Sequence, residues 1–445
     1  MRDIVVPTPG DREPINASNR PTRLHPALRG QMLRIGEGPT EGKVDREVFP
    51  SNWWPQVNNG IADRWNSTNK DYQDWRGDPD NLAPTEKYDL LFYPGQPKKV
   101  PEVRNQTIAE SNRPERERDA ARVQPALTVV GPTTAWELMN HGVYQRVYPE
   151  AWFGHCNGWS SYLTAESQGA PLRDVRVRRQ GDQLVECREG EDGCILFRMA
   201  DIEALLWEIY FHDSSTAVGA RCHKKSDDIE RDEYGRPTDP ECRDLNPATL
   251  HVALTGLVGK GASPLTNLNG SSERLPFIVD YTWDYEVWTF PVVKYQIDEL
   301  EYVDQSRAAS LVCKGDDRAR LGCNNIFNQN AVRFARVKTR FWVMTYSATG
   351  QELLTPPLQR ERPLRETTIH YILELDGRGT IVGGEWIASP TMSGNDSREL
   401  HPDFLFMSVS PNASGEGTDD RGGTNDNPYV SSSNVKALLQ LARTR

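Results

Sequence analysis

Residues 332–346 read VRFARVKTRFWVMTY, and apolar side chains alternate here with charged or polar ones. Alternation with a period of two predicts a β-strand that has one buried face. The stretches 367–377 (TTIHYILELDG) and 380–388 (TIVGGEWIA) alternate in the same way, and Asp376-Gly377 is typical of a tight turn between two strands. The C-terminal third of the chain is therefore predicted to be rich in β-structure.

Helices and a longer strand segment precede this region. Residues 198–212 (RMADIEALLWEIYFH) carry apolar side chains at helical spacing and predict an amphipathic helix. Pro247 opens a second helix, which is expected to end near Gly256 or Gly259. Residues 275–303 are β-branched and aromatic, so they predict strands, with Pro291 marking an edge or a bulge.

Two shorter helices are predicted nearer the N-terminus. Thr85 is followed by apolar residues at helical spacing that stop at Pro94-Gly95. In residues 131–142 (GPTTAWELMNHG), Thr133 or Thr134 is predicted as the N-cap. Taken together, the patterns predict an α+β protein with a helical and strand-bearing middle and a β-rich C-terminal portion.

Changes in composition divide the chain into five predicted segments. The N-terminal part is rich in Pro, Asn, Arg and Gly without periodicity and predicts an extended or disordered arm. The C-terminal part is rich in Gly, Ser, Asn and Asp and predicts a flexible tail that ends in a short helix. The segments are an arm (1–44), a wrapping segment (45–130), a catalytic core (131–310), a β-rich region (311–410) and the tail (411–445).

Charge and hydropathy exclude several classes of partner. The formal net charge is -11, which argues against nucleic acid or an anionic membrane, because both favour clusters of Lys and Arg. No apolar run is long enough to cross a bilayer, so no membrane span is expected. The first residues, MRDIVVPTPGDREP, lack the apolar region of a signal peptide.

Six of the seven cysteines fall into three neighbouring pairs, each of which closes a short polar loop. Local pairing is the simplest of the possible disulfide arrangements, and it would indicate an oxidising compartment. Free structural thiols are the alternative, and no Cys-x-x-Cys or His-x3-His pair supports a zinc site, so no metal ligand is predicted. The paired cysteines are Cys187, Cys194, Cys222, Cys242, Cys313 and Cys323.

The seventh cysteine, Cys156, lies in 152–161 (WFGHCNGWSS) just before an apolar-periodic stretch. A cysteine at a helix N-terminus can serve as a nucleophile, because the helix dipole stabilises the thiolate and backbone N–H groups point at the developing charge. Gly154 and Gly158 would allow a substrate to approach closely. This stretch by itself also fits a buried structural thiol.

His251 is the candidate base, because it lies in an otherwise apolar segment and is followed by Asp280 at the end of the apolar run LPFIV. An acid in that position is costly unless it is paired. Asp284 is the reserve candidate, and His155 is discounted because the side chains of consecutive residues seldom face each other. The order Cys, His, Asp is common among cysteine nucleophile triads. A satisfied core histidine is the alternative reading of His251.

Seven motifs follow one another along the chain: SNWWPQVNNGIADRW (51–65), LAPTEKYDLL (82–91), WFGHCNGWSS (152–161), NPATLHVAL (246–254), VDYTWDYEVWTFPV (279–292), LELDGRGTIVGGEWI (373–387) and HPDFLF (401–406). In this order they resemble the transglutaminase elicitor family, which is known from oomycete cell-wall glycoproteins and has bacterial relatives. The resemblance covers roughly residues 45–410. It departs from the family pattern at Thr289-Phe290, where the family has Asn-Gln within the peptide that plants recognise.

The resemblance implies a transglutaminase with a papain-like catalytic logic, in which Cys156 is the nucleophile. His251 and Asp280 are the positions assigned to the rest of the triad. The expected product is an isopeptide crosslink between Gln and Lys, with deamidation as the side reaction. Residues expected to shape the substrate site are Trp152, Gly154, Trp159, Trp283 and Trp288.

Other functions stay open on the sequence alone. The same triad would serve a papain-like cysteine protease, a deamidase or an exported toxin effector. A non-enzymatic recognition protein of the cell surface is a further alternative, in which the strand around Trp288 is the recognised surface. The expected partners are proteins that bear Gln and Lys, the expected location is extracellular, and calcium is a possible cofactor through acid-rich loops such as 224–232, although no EF-hand spacing is present.

Overall fold

The computed structural model describes residues 15–444 apart from a set of gaps. The gaps are 16, 27, 29–37, 74–78, 109–121, 166–168, 189, 212–213, 223, 225–227, 231–237, 240–241, 243–244, 260–264, 267–271, 281–285, 313–325, 347–348, 388–401 and 411–426. Residues 411–426 and 445 of the predicted tail, and five of the nine residues of the acid-rich loop 224–232, therefore lie outside the described residues. So does most of the predicted N-terminal arm.

The described residues form α-helices and β-strands in mixed order, which confirms the prediction of mixed helices and sheets. The helices are α1 (Pro21–Leu24), α2 (Pro84–Phe92), α3 (Pro132–Asn140), α4 (Cys156–Ala165), α5 (Met199–Ile209), α6 (Pro247–Ala253), α7 (Gln305–Val312) and α8 (Ser432–Arg443). The shorter strands are β1 (Glu41–Lys43), β2 (Lys98–Val100), β3 (Val103–Ile108), β4 (Arg122–Gln124), β5 (Leu127–Val130), β6 (Val147–Tyr148), β7 (Val175–Gln180), β8 (Gln183–Glu186), β9 (Ile195–Phe197), β10 (Ser214–Gly219), β11 (Leu265–Thr266), β12 (Ser272–Glu273) and β13 (Ile278–Asp280). The remaining strands are β14 (Thr289–Val303), β15 (Arg333–Met344), β16 (Leu364–Leu375), β17 (Ile381–Ile387) and β18 (Phe404–Ser410).

The chain divides into two compact units, each built from separate stretches of sequence. The first unit takes in residues 1–48, 215–345 and 364–408. The second takes in residues 49–214, 346–363 and 409–445. The five segment boundaries drawn from composition stay predictions, and the segment predicted as the catalytic core contributes residues to both units.

An eight-stranded sheet organises the first unit, in the order β10-β18-β13-β14-β15-β16-β17 with β1 also paired to β14. The stretch predicted first from its alternation is β15, which pairs antiparallel with β16 along its full length. Along β15, Val337, Thr339, Phe341 and Val343 are buried while the residues between them are partly exposed, as the period of two requires. The turn predicted at Asp376-Gly377 joins β16 to β17, and Asp376 accepts hydrogen bonds from the N–H groups of Arg378 and Thr380.

Helix α6 packs on this sheet against β16 and β17. It begins at Pro247, as predicted, and the side chain of Asn246 caps it by accepting a hydrogen bond from the N–H of Ala248 at 2.9 Å. A wider π-type turn follows from Leu254 to Val258, so the helical segment ends where the glycines predicted. All seven residues of α6 are buried.

The second unit has α5 at its centre. The segment was predicted as amphipathic, but all eleven residues of α5 are buried, including three carboxylates. Each carboxylate meets a donor: Lys87 contacts Asp201 at 2.5 Å, and Arg360 contacts Glu203 at 2.7 and 2.8 Å. The third, Glu208, accepts a hydrogen bond from the N–H of Asn427 at 2.6 Å. Because a buried charge is tolerated only when it is paired, these contacts explain how a helix with charged residues lies wholly inside.

The capping of α3 differs from the prediction. Its N-cap is Gly131 rather than Thr133 or Thr134. The N–H groups of both threonines instead donate to the carboxylate of Asp89, at 2.8 and 2.9 Å. The sequence pattern identified side chains that commonly cap a helix locally, whereas here the acceptor comes from α2, more than forty residues away.

Two of the three expected disulfides are confirmed. Cys187 is bonded to Cys194 and Cys222 to Cys242. Cys313 and Cys323 lie outside the described residues. No helix among those described is long and apolar enough to span a membrane.

Helices α4 and α5 approach so closely at Gly158 that a side chain has no room. A Cβ built on Gly158 would lie 2.0 Å from the carbonyl oxygen of Trp207. Replacing a helical glycine with alanine normally stabilises a protein by about 1 kcal/mol, because alanine favours the helix. We expect Gly158→Ala to lower the free energy of unfolding instead, by about 1–3 kcal/mol, because the two helices must separate.

Chemical denaturation followed by circular dichroism measures this change. Gly377→Ala is the matched control, because the nearest atom to its Cβ lies 3.9 Å away and the substitution meets no clash. A Gly158→Ala variant as stable as wild type would show that the helices are not in this close contact.

Candidate functional site

Cys156 is the first residue of α4 and is buried, with 5% of its surface exposed. The intrahelical bonds begin with the N–H of Trp159, which donates to the carbonyl of His155 at 3.1 Å. The N–H groups of the first turn therefore point out of the helix end on which the Cys156 thiol is carried. Among the described cysteines, Cys156 is the one outside the two disulfides.

Backbone contacts hold the turn that leads into Cys156. The N–H of His155 donates to the carbonyl of Trp53 at 2.6 Å, and the N–H of Gln56 donates to the carbonyl of Phe153 at 2.9 Å. A Cβ on Gly154 would lie 2.5 Å from the carbonyl oxygen of Trp53, so the neighbouring backbone leaves no room for a side chain at this position. The residues before Cys156 are thus held against residues 53–56 by backbone hydrogen bonds.

The two tryptophans beside Cys156 are both buried. Trp159 is fully buried, and its Nε1 donates to the carbonyl of Phe49 at 3.1 Å. Trp152 is 8% exposed, and its Nε1 donates to Glu150 at 2.7 Å. The side chain of Trp159 is therefore anchored in the core of the second unit, and the contact of either ring with a substrate stays a prediction.

His251 lies on α6 in the first unit and is buried. Its Nδ1 is 2.8 Å from the hydroxyl of Tyr371 on β16, which in turn is 2.9 Å from the hydroxyl of Thr339 on β15. Burial lowers the pKa of His251 to about 4, so its imidazole is neutral in the folded chain at neutral pH. Two successive hydrogen-bond contacts, from α6 to β16 and from β16 to β15, hold the ring in one orientation.

Asp280 ends β13 in the same unit and is fully buried. One of its oxygens accepts a hydrogen bond from the N–H of Trp288 at 3.0 Å, which ties the start of β14 to the end of β13. Trp288 is partly buried, and its Nε1 donates to Glu286 at 2.8 Å. Trp283 and the reserve acid Asp284 lie outside the described residues.

Of the predicted triad, Cys156 belongs to the second unit, and His251 and Asp280 belong to the first. The residue that contacts Nδ1 of His251 is Tyr371, which the sequence analysis did not single out. Nothing in the local sequence indicates this contact, because Tyr371 occupies an ordinary inward position of an alternating strand. The pairing of His251 with Asp280 stays a prediction.

A cluster of buried histidine and glutamate side chains includes His155, the residue before Cys156. Glu137 of α3, His141 at the end of α3, His155 and Glu208 of α5 are all buried, and one ligand atom from each lies within 4.8 Å of the others. Burial opposes charge on His141, but the carboxylates of Glu137 and Glu208 raise its pKa to about 10. Burial also opposes charge on Glu208, but His141 and His155 hold the pKa of its carboxyl well below its usual range. We call these four residues the His-Glu cluster.

One local feature of the sequence indicates this cluster. Glu137 and His141 are four residues apart, which places them on one face of a helix. This Glu-x3-His pair matches neither the Cys-x-x-Cys nor the His-x3-His spacing of common zinc sites. His155 and Glu208 are distant in sequence, and only the packing of α5 brings them to the same place.

Comparison with protein families gives a match for more than half of the chain. A family described as "Transglutaminase elicitor" matches residues 183–419. This chain belongs to the transglutaminase elicitor family. The matched part of this family member includes His251, Asp280 and Trp288, whereas Cys156 lies before it.

A solved structure supports the fold of this transglutaminase elicitor family member along its length. The chain is similar to the GP42 transglutaminase from Phytophthora sojae, with a TM-score of 0.53 and 18% sequence identity. The similarity covers 96% of this chain and 98% of the Phytophthora protein. No curated protein matches it. At this identity the likeness shows a shared fold.

The lowered pKa of His251 has a measurable effect on stability. Between about pH 6.5 and about pH 4, the unfolded chain binds a proton at this position that the folded chain does not. The free energy of unfolding should therefore fall as the pH drops through this window, with His251 contributing about 3 kcal/mol.

Denaturant unfolding at several pH values measures this contribution. His251→Asn should flatten the dependence, since the group that titrates is removed. Tyr371→Phe should keep it, because burial rather than the tyrosine lowers the pKa. An unchanged pH dependence in His251→Asn would mean that this histidine is already protonated in the fold or accessible to water.

Proposed function

We propose that this protein is a protein-glutamine γ-glutamyltransferase, a transglutaminase that uses Cys156, His251 and Asp280. The observation that carries the proposal is the position of Cys156 as the first residue of a buried helix in a member of the transglutaminase elicitor family. A nucleophile at a helix N-terminus is the arrangement of papain-like enzymes, in which the helix dipole and the backbone N–H groups favour the thiolate.

The reaction begins with transfer of the Cys156 proton to His251. Because its pKa is lowered by burial, His251 is neutral and can accept this proton. The thiolate then attacks the γ-carboxamide carbon of a substrate glutamine, and a tetrahedral intermediate forms. Backbone N–H groups of the first turn of α4 point away from the helix and stabilise its oxyanion.

Collapse of the intermediate breaks the carbon–nitrogen bond of the amide. The imidazolium of His251 gives its proton to the departing nitrogen, so ammonia leaves and a thioester joins the substrate to Cys156. A lysine amine attacks this thioester and passes a proton to His251, and the product is an isopeptide bond with the thiol restored. Attack by water gives glutamate, which is the deamidation product.

The remaining residues have supporting roles in this proposal. Asp280, fully buried at the end of β13, stabilises the charged form of His251. Tyr371 orients the imidazole through its 2.8 Å contact with Nδ1, which leaves Nε2 for proton transfer. Trp152, Gly154, Trp159, Trp283 and Trp288 shape the site and limit access of water, which favours the amine as acceptor.

The proposed substrates are extracellular proteins that bear accessible Gln and Lys. Two disulfides among the described cysteines persist in an oxidising compartment and are rare in the reducing cytosol. They support secretion.

Incorporation of a labelled primary amine into a glutamine-rich protein, measured together with ammonia release, tests this function. Cys156→Ala should abolish both, because no thioester can form. His251→Ala and Asp280→Asn should lower the rate by about 10²–10⁴-fold, the usual contribution of a positioned acid–base group and its partner. Tyr371→Phe should give a smaller loss, since it removes only an orienting contact.

Matched variants separate catalysis from general damage. His370→Ala changes a half-buried histidine on the same strand as Tyr371, and Asp298→Asn removes a surface acid paired with Arg340 at 2.7 Å. Both should retain full activity. Backbone cleavage without amine incorporation would identify a protease instead, and binding to a cell surface that survives Cys156→Ala would identify a recognition protein.

A further inference from the structure

We propose that the His-Glu cluster is a closed site for one divalent transition-metal ion, with Zn²⁺ the best fit. Its four ligands are Glu137, His141, His155 and Glu208, all in the second unit. The site does not depend on the proposed transglutaminase reaction, because none of its ligands takes part in that chemistry.

The distances between the ligand atoms match a four-coordinate site. Metal–ligand bonds of about 2.0–2.1 Å in a tetrahedron place neighbouring ligand atoms about 3.3 Å apart. Nδ1 of His141 lies 3.3 Å from Oε2 of Glu137 and 3.7 Å from Oε2 of Glu208. Nε2 of His155 lies 2.8 Å from the same oxygen of Glu208 and 3.4 Å from Oε1, the other oxygen of Glu137. The three separations that use one oxygen per carboxylate, 2.8, 3.3 and 3.7 Å, lie on both sides of the tetrahedral value.

Several of these atoms lack the hydrogen bonds that buried polar groups require. Three buried atoms have no hydrogen-bond partner among the described residues: both ring nitrogens of His141 and Oε2 of Glu137. Leaving a buried polar atom unsatisfied costs about 1–3 kcal/mol, and more for a charged group. A bound cation would satisfy Nδ1 of His141 and Oε2 of Glu137 together, whereas Nε2 of His141 points away from it.

Outer contacts hold the ligands in place, as they do in established metal sites. The N–H of Ile61 donates to Glu137 at 3.1 Å, and the N–H of Asn427 donates to Glu208 at 2.6 Å. Nδ1 of His155 lies 3.4 Å from the carbonyl of Trp54, which favours Nε2 as the metal-binding nitrogen. The glycine at Gly60 leaves room for this packing, since a Cβ there would lie 2.3 Å from Oε1 of Glu137.

The ligand set selects the class of ion. Two imidazoles and two carboxylates suit zinc and its neighbours among the first-row transition metals, whereas Ca²⁺ takes six to eight oxygen ligands. Two carboxylates balance the double positive charge, so the buried site is neutral when both histidines are neutral. All four positions are filled by protein, as in structural rather than catalytic sites.

The position of the cluster gives the ion a role in placing the nucleophile. His155 is the residue before Cys156, and its backbone carbonyl accepts the first helical hydrogen bond of α4. Metal bound through Nε2 of His155 would join the start of α4 to α3 and α5. The ion would therefore stabilise the second unit and fix the turn that carries Cys156.

Metal analysis of the purified full chain tests the site. Protein produced with added zinc should contain about one ion per chain after gel filtration. The same content is expected in Cys156→Ala, which shows that the thiolate is not the ligand and makes the result independent of transglutaminase activity. Removal of the ion with a strong chelator should lower the melting temperature, and Zn²⁺ but not Ca²⁺ should restore it. Co²⁺ added to the apoprotein should give the intense visible bands of a four-coordinate site.

Two variants and a buried-histidine control complete the experiment. His141→Gln and Glu208→Gln should each weaken zinc binding at least about tenfold, because even loss of an outer partner commonly costs 10–100-fold. His251→Asn should keep full metal content, although it also changes a buried histidine. Folded wild-type protein that holds no zinc, shows no Co²⁺ bands and melts at the same temperature with and without zinc would overturn the proposal, whatever the variants do.

Discussion

The second unit depends on the neutralisation of three carboxylates that α5 carries into its interior. Asp201, Glu203 and Glu208 are all essentially inaccessible to water, and charges in that setting need a partner of opposite sign or hydrogen-bond donors. Lys87 and Arg360 supply the first two partners, and the histidines beside Glu208 supply the third. Breaking one such buried pair by removing a single partner typically costs 3–5 kcal/mol. Packing around α5 is therefore specified by charge as much as by shape.

The same requirement connects the core to Cys156. Glu208 contacts His155, which directly precedes Cys156, the first residue of α4. On the other side, Trp159 one turn later is locked by its hydrogen bond to Phe49. The first helical turn, which carries Cys156, is therefore anchored to the interior on both sides.

Much of the local structure could be predicted from the sequence because it follows from periodicity. The alternation at 332–346 gives strand β15, and the apolar spacing after Arg198 and after Pro247 gives helices α5 and α6. Prediction failed where the deciding partner is distant in the chain. Asp89 satisfies the start of α3 in place of a local cap, and paired charges bury the polar face of α5. Sequence spacing contains no information about either contact.

The same limit applies to the site. Cys156 could be singled out because an odd cysteine before an apolar stretch is a local pattern, and the structure places it at a helix start. Tyr371 and Glu208 could not, since each is an unexceptional residue of its strand or helix until folding brings it to a histidine. The candidate nucleophile can thus be predicted from the sequence, whereas the residues that contact the histidines are known only from the packing of the folded chain.

The discontinuous make-up of the second unit has a consequence for biosynthesis. Arg360 and Asn427 come from stretches that leave the ribosome long after α5, and they contact Glu203 and Glu208. During translation α5 therefore emerges after Lys87 and His155, which contact Asp201 and Glu208, but before Arg360 and Asn427. The contacts around His155, the residue before Cys156, therefore draw on residues from both sides of α5 in the sequence.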